Sequence, residues 1–167
     1  PLTSDVVFKE VLGQEESKPI LMGFLNDILD MNITSPDQIT LLNPELNPEY
    51  IDDKLSILDI RVQLQDHTSI DVEIQVIDQH NIEPRALYYV CRLCADQLQK
   101  GDDYTQLRPA IGLNLLCFNL YNDSEYFRSF ILKTNGFYFW LLKTRRCSKN
   151  WQKTTLLYML PTNVLLL

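Results

Sequence analysis

Residues 57–65 read Ile-Leu-Asp-Ile-Arg-Val-Gln-Leu-Gln, and residues 70–76 read Ile-Asp-Val-Glu-Ile-Gln-Val. In the first run Leu58, Ile60, Val62 and Leu64 are apolar, and Asp59, Arg61, Gln63 and Gln65 are polar. In the second, Ile70, Val72, Ile74 and Val76 alternate with Asp71, Glu73 and Gln75. Successive side chains of a strand point to opposite faces, so each run is a strand with its even-numbered residues on one side. Asp66, His67, Thr68 and Ser69 lie at the connection, and the simplest pairing is an antiparallel hairpin. Because both apolar sets must reach one core, paired residue numbers sum to an even value and the loop holds an odd number of residues. A three-residue loop over 66–68 gives a sum of 134, which sets Asp59 opposite Gln75 and Arg61 opposite Glu73. Direct and diagonal cross-strand neighbours lie roughly 4.5–8 Å apart, so Asp59, Glu73 and Gln75 converge on the polar face.

The flanking segments build outward from this hairpin. Upstream, residues 4–12 read as a short helix with Ser4 as N-cap and Gly13 past its end. A second helix over 17–30 has Ser17 as cap and Pro19 in its first turn, with Ile20, Leu21, Phe24, Leu25, Ile28 and Leu29 at helical spacing. Residues 31–53 are turn-rich, with Pro36, Pro44 and Pro48; only Ile39–Leu42 has the makings of a strand. Downstream, Pro84 opens a helix that Gly101 closes, with an apolar stripe through Leu87, Val90, Cys91, Cys94 and Leu98. Residues 110–121 are apolar enough for a strand buried on both faces, as a central parallel strand is. Runs over 127–133 and 137–143 flank Asn135-Gly136, a hairpin turn signal. The expected class is α/β, with a mixed sheet flanked by helices.

The chain has 167 residues, 46% of them apolar and 22% charged, as in a soluble domain with one core. Its longest apolar run, 137–142, is far short of the roughly 20 residues of a membrane span. No basic segment followed by an apolar stretch opens the sequence, so no secretory signal is expected. Cys91 and Cys94 form C-x-x-C, but they fall inside a predicted amphipathic helix, no second C-x-x-C exists, and the only histidines are His67 and His80. Buried apolar thiols are expected rather than zinc, and reduced thiols without a signal point to the cytoplasm.

Two acids and an amide on one sheet face suit Mg²⁺, a hard cation that binds through one or two carboxylates, waters and substrate phosphate. On patterning alone, the solvated outer face of an antiparallel hairpin is the simpler reading. A broader set of segments shifts that balance: Asp5-Val6-Val7-Phe8-Lys9, Phe24-Leu25-Asn26-Asp27-Ile28-Leu29, Lys54-Leu55-Ser56-Ile57-Leu58-Asp59 and Val72-Glu73-Ile74-Gln75. Arg85-Ala86-Leu87-Tyr88-Tyr89, Gln97-Leu98, Gly101, Tyr104 and Pro109-Ala110-Ile111-Gly112-Leu113 complete it. Together they resemble the PD-(D/E)XK nuclease fold and, more narrowly, the transposase-associated, recombination-promoting nucleases of bacteria. The resemblance covers residues 5–121.

It implies a restriction-endonuclease-like core of order αβββαβ with a four-stranded mixed sheet, and Mg²⁺-dependent hydrolysis of DNA. By the same carry-over Asp59 and Glu73 are the metal ligands, and Gln75 stands where the wider superfamily has lysine. A neutral amide holds a water but cannot neutralise a transition state. Lys9 and Lys54 are the candidates for the missing charge. Arg85 is read as a phosphate contact or as a helix-start arginine bonding a carboxylate, and Tyr88 as a positioning residue or a half-buried tyrosine. Arg61 balances Glu73, Asp71 is an outer candidate, and His67 is a solvated loop residue. An alternative function is a catalytically inactive nuclease fold used for DNA binding or assembly; homodimerisation is left open.

The likeness fades near Lys133, so residues 1–133 are taken as the nuclease-like domain and 134–167 as an atypical basic and apolar segment. Residues 1–125 carry all 22 acids and 8 basic groups; residues 126–167 carry 7 basic groups and no acid. A decayed or frame-shifted remnant accounts for that switch, with a polyanion-binding tail as the competing view.

Overall fold

The computed structural model describes residues 5–46, 56–122, 127–130, 133–134, 137–138, 141–145 and 154–159. Helices α1 (Asp5–Leu12) and α2 (Lys18–Leu29) come first, followed by strands β1 (Ile39–Leu42), β2 (Glu45–Leu46), β3 (Ser56–Ile57), β4 (Ile60–Leu64) and β5 (Ser69–Gln75). Helix α3 (Ile82–Ala95) leads to β6 (Ala110–Leu116). Strands β7 (Phe127–Phe130), β8 (Lys133–Thr134), β9 (Phe137–Tyr138), β10 (Leu141–Arg145) and β11 (Thr154–Met159) follow. The core is the mixed sheet β1-β4-β5-β6, in which β1, β4 and β5 are antiparallel neighbours and β5 runs parallel to β6. β11, β10 and β7 extend the same sheet beyond β6.

Two layers cover the core sheet. Phe8 and Leu12 of α1 and Leu21, Leu25 and Leu29 of α2 pack on Ile60, Val62, Ile70, Val72 and Ile74, the even-numbered set. Each such side chain removed from water contributes roughly 1.5–3 kcal/mol. On the other side Val90, Leu93 and Cys94 of α3 pack with Leu58 and Ala110. The odd-numbered face of the hairpin therefore lies under a helix rather than in solvent, and Asp71 and Glu73 are each only 1% exposed.

Several boundaries differ from the sequence expectations, each for a local reason. The run 57–65 is broken at Leu58 and Asp59, with β3 pairing β2 on one side of the break and β4 pairing β5 on the other. Leu58 N–H donates to Pro44 O at 3.0 Å, and its side chain joins the α3 layer instead of the even-numbered core. In the hairpin Arg61 faces Asp71 and Gln63 faces Ser69, a register two units tighter than expected. The turn spans 65–67 rather than 66–68: Leu64 N–H bonds Thr68 O at 2.9 Å, His67 N–H bonds Leu64 O at 2.8 Å, and His67 adopts φ 66°. The loop stays odd in length, so the apolar faces are unchanged.

Helix α3 starts at Ile82 and stops at Ala95, short of Gly101, which sits with φ 100° in a later turn. Its buried stripe is Ile82, Ala86, Val90, Leu93 and Cys94, whereas Leu87 and Cys91 are exposed. Ser17 occupies the N-cap of α2 but its hydroxyl caps nothing, because a 3₁₀ turn over Glu15–Ser17 leads into the helix. Strand β6 is buried throughout, parallel to β5, and ends at Leu116 rather than 121. β8 pairs β9 around residues 135–136, which lie outside the described residues, as do Ser4, Lys54 and Cys147.

Candidate active site

The break between β3 and β4 makes the site. Asp59 sits in that bend, and through it meets residues of both layers. Its Oδ1 lies 2.8 Å from Lys9 Nζ on α1, and its Oδ2 accepts the Ile74 N–H at 2.8 Å. Its own backbone N–H donates to Glu73 Oε1 at 2.8 Å. A continuous strand would have spent that N–H on a ladder bond; the bend frees it for a carboxylate.

Glu73 is held on every side. Gln75 Nε2 donates to its Oε2 at 3.3 Å, and Arg85 Nη2 lies 3.2 Å from the same oxygen. Arg85 Nη1 also donates to Gln75 Oε1 at 3.3 Å, and its guanidinium lies 5.1 Å from the centre of the Tyr89 ring. One arginine, projecting from the first turns of α3, thus fixes both members of the E-x-Q pair through its planar fork. Burial is the largest influence on Glu73 and raises its pKa to about 7, with the nearby Asp59 charge adding to it. The Asp59 N–H, Arg85 and Lys9 oppose the rise without cancelling it.

Asp71, two residues before Glu73 on the same face, is wholly enclosed. Its Oδ1 finds no hydrogen-bond partner, and burial, then the charges of Glu73 and Asp59, push its pKa well above the usual carboxylate range. Arg61, opposite it across the hairpin, forms an ion pair with Asp96 at the end of α3.

The structure thus gathers Asp59, Glu73, Gln75, Arg85 and Lys9 into one cluster, and Lys54 lies outside the described residues. Arg85 bonds carboxylate and amide within the protein, the helix-start arrangement. Asp59 falls in line with Glu73 rather than Gln75, and Arg61 balances Asp71 and Asp96 rather than Glu73. Tyr88 lies beside the cluster with its ring 6.0 Å from that of Tyr89, and Tyr89 is the ring that meets Arg85. Sequence reasoning left out Tyr89 and Asn114, a buried polar residue aligned with Glu73 across the β5–β6 pair. The signal for Asn114 was a lone amide inside an otherwise apolar strand.

Two carboxylates of this kind fit a magnesium ion that keeps several waters and completes its octahedron with substrate phosphate. Among the described residues, no group of three or more His, Cys, Asp or Glu side chains is arranged to hold a metal by itself. Burial pushes the Cys94 thiol up to about 11, opposite to what thiolate ligation needs. No helix among the described residues is long and apolar enough to cross a membrane.

Residues 2–141 match a protein-family model described as a PD-(D/E)XK nuclease family transposase. No curated protein and no solved structure matches the chain.

Proposed function

Given that this chain belongs to the PD-(D/E)XK nuclease family transposases, a nuclease family, we propose that it is a Mg²⁺-dependent DNA endonuclease acting in bacterial recombination or transposition. The observation that carries the reading is the direct coupling of Asp59 to Glu73 at the strand break, with Gln75 on the same carboxylate. Asp59 and Glu73 would hold the cation. Bound there, it would lower the pKa of a water and offset charge on the phosphodiester under attack.

The chain's own residues divide the remaining work. Gln75 has an amide that orients a water by accepting and donating at once. It adds no charge, and Lys9, already at Asp59, supplies the positive charge that a lysine at position 75 supplies in the wider superfamily. Arg85 holds Glu73 and Gln75 in register, while its stacking on Tyr89 limits its own freedom.

The deciding experiment is plasmid nicking with Mg²⁺ against EDTA, comparing the parent with Asp59→Ala and Glu73→Ala. Cleavage in the parent with Mg²⁺, lost in EDTA and in both variants, is expected; equal activity in all of them would end the proposal. One observation favours a second reading, a nuclease fold retained for binding or assembly: both carboxylates are fully engaged by internal partners. Titration of the protein with Mg²⁺ by calorimetry separates the two, since the second reading predicts no heat and no effect of removing Asp59.

A further inference from the structure

At the opposite end of the hairpin from Glu73, a polar recess of about 380 Å³ opens between the turn and the end of α3. It lies in the lower part of the range of about 300–1,000 Å³ typical of small-molecule pockets, and is too small for a duplex. From Ser69, on its wall, to Glu73 is four residues of extended chain, or roughly 13 Å. The recess is therefore a separate site. Its lining is unusual for a chain of net charge −7. Arg61 and Arg108 supply two cations, and His67 supplies an imidazole. The one acid on the wall, Asp96, is already paired with Arg61.

Arg61 is part-buried, while Arg108 and His67 stand at the exposed rim of the recess. The Arg61 side chain is 12% exposed, and its Nε is enclosed without a hydrogen-bond partner. Arg108 donates from Nη1 to the carbonyls of Thr105 and Leu107 at 3.2 and 3.1 Å, which sets the direction of its guanidinium. Among the described residues no carboxylate lies within ion-pair distance of it. The backbone of Arg108 is clamped by Gln97, which accepts its N–H at 2.8 Å and donates to its carbonyl at 3.2 Å. His67 takes the left-handed position, φ 66°, of the three-residue hairpin loop, which brings its imidazole to the rim of the recess. The rest of the wall includes the amides of Gln63 and Gln106, which present a donor and an acceptor each.

We infer that this recess is a binding site for a small phosphorylated ligand of mononucleotide size. Arg108 and the part-buried Arg61 match a phosphate, for which a planar guanidinium fork is the preferred partner, and the His67 imidazole adds a ring N–H donor at the rim. The glutamine amides match the hydrogen-bonding edge of the group that carries it. The inference does not depend on the nuclease reading, because no residue of the Asp59–Glu73 cluster lines the recess.

The test is calorimetry on the full chain with deoxyadenosine 5′-monophosphate, deoxyadenosine, inorganic phosphate and an oligonucleotide lacking a terminal phosphate. One-to-one binding of the monophosphate is expected, with no heat from the nucleoside at the same concentration. Arg108→Ala should weaken binding at least tenfold and His67→Asn, which tolerates the left-handed backbone, by severalfold. Both should keep the parent circular dichroism spectrum. Asp59→Ala should leave the affinity unchanged, which separates this site from the proposed catalytic one. Inorganic phosphate binding as tightly as the nucleotide, with the same Arg108 dependence, would support the site with free phosphate as its ligand. Absence of heat from both phosphates would overturn the inference. So would affinity indifferent to Arg108, or an oligonucleotide that displaces the monophosphate.

Discussion

At the scale of single residues, the site is an arrangement of opposed charges, and its predictions concern which charge does what. Lys9 stands against Asp59, while Gln75 is proposed to occupy the position where the wider superfamily has lysine. Lys9→Met is therefore expected to reduce nicking by about a hundredfold, the lower end of the range for a lost charge-stabilising donor. Adding Gln75→Lys in the same molecule should recover part of the loss, and a double variant as inactive as the single one would assign Lys9 a purely structural role. Glu73 gives a second prediction. Its folded pKa of about 7 lies above the unfolded value near 4.5, so the folded state keeps a proton that the unfolded chain releases. Its burial costs nothing below about pH 4.5, and the cost grows as pH rises through 7, to a few kcal/mol at most. In EDTA the urea midpoint should fall between pH 5 and 8, and Glu73→Gln should flatten that fall. That Asp59, Glu73 and Gln75 lie close together was legible in the sequence because alternation puts all three on one side of the hairpin; the roles proposed for them rest on the family resemblance. The Lys9 contact and the stacking of Arg85 on Tyr89 were not, since both depend on how helices lie across the sheet.

At the scale of elements, the sequence was most informative where periodicity had a clear competitor to exclude. The two hairpin strands, the buried parallel strand and both early helices follow from period and from Pro and Gly placement. Register was harder. Even parity is dictated by the shared core, but two values two units apart satisfy it equally, and only His67 adopting left-handed backbone selects the tighter one. The strand break at Leu58 was also hidden, because Leu58 is apolar and even-numbered while belonging to the other layer. A testable detail concerns Gly13, which ends α1. A Cβ placed there would lie 2.6 Å from Lys9 O, the carbonyl that accepts the Gly13 N–H. Gly13→Ala must push the end of α1 outward, and such overpacking costs roughly 1–3 kcal/mol. Chemical denaturation should show that loss, and because α1 carries Lys9, nicking should fall along with stability.

At the scale of the whole molecule, charge and sheet order set the terms. The acids all precede residue 126, so the net charge of the body that carries the proposed site opposes the approach of nucleic acid, and Lys9 and Arg85 are each paired with a carboxylate there. The basic segment is joined to that body through the sheet: β11 lies antiparallel to β6 along Ala110–Leu115 and covers what would otherwise be its open edge. Ending the chain before residue 126 should uncover this buried apolar strand and turn a well-behaved protein into an aggregating one, as light scattering would register. A truncated chain that stays monodisperse would show that β6 needs no neighbour on that side. This placement was not legible, because the segment's composition differs from the body and its pairing partner lies some 40 residues away.

The bend at Asp59 has one last consequence. A single residue there touches a lysine from the first helix and a glutamate beneath the third. Whatever chemistry is hosted there, its parts come from widely spaced stretches of chain that meet only after both helical layers have closed. A polypeptide emerging from the ribosome, or one partly unravelled by heat, holds the components without the tool. The proposed cleavage activity would thereby stay blunt until folding is complete.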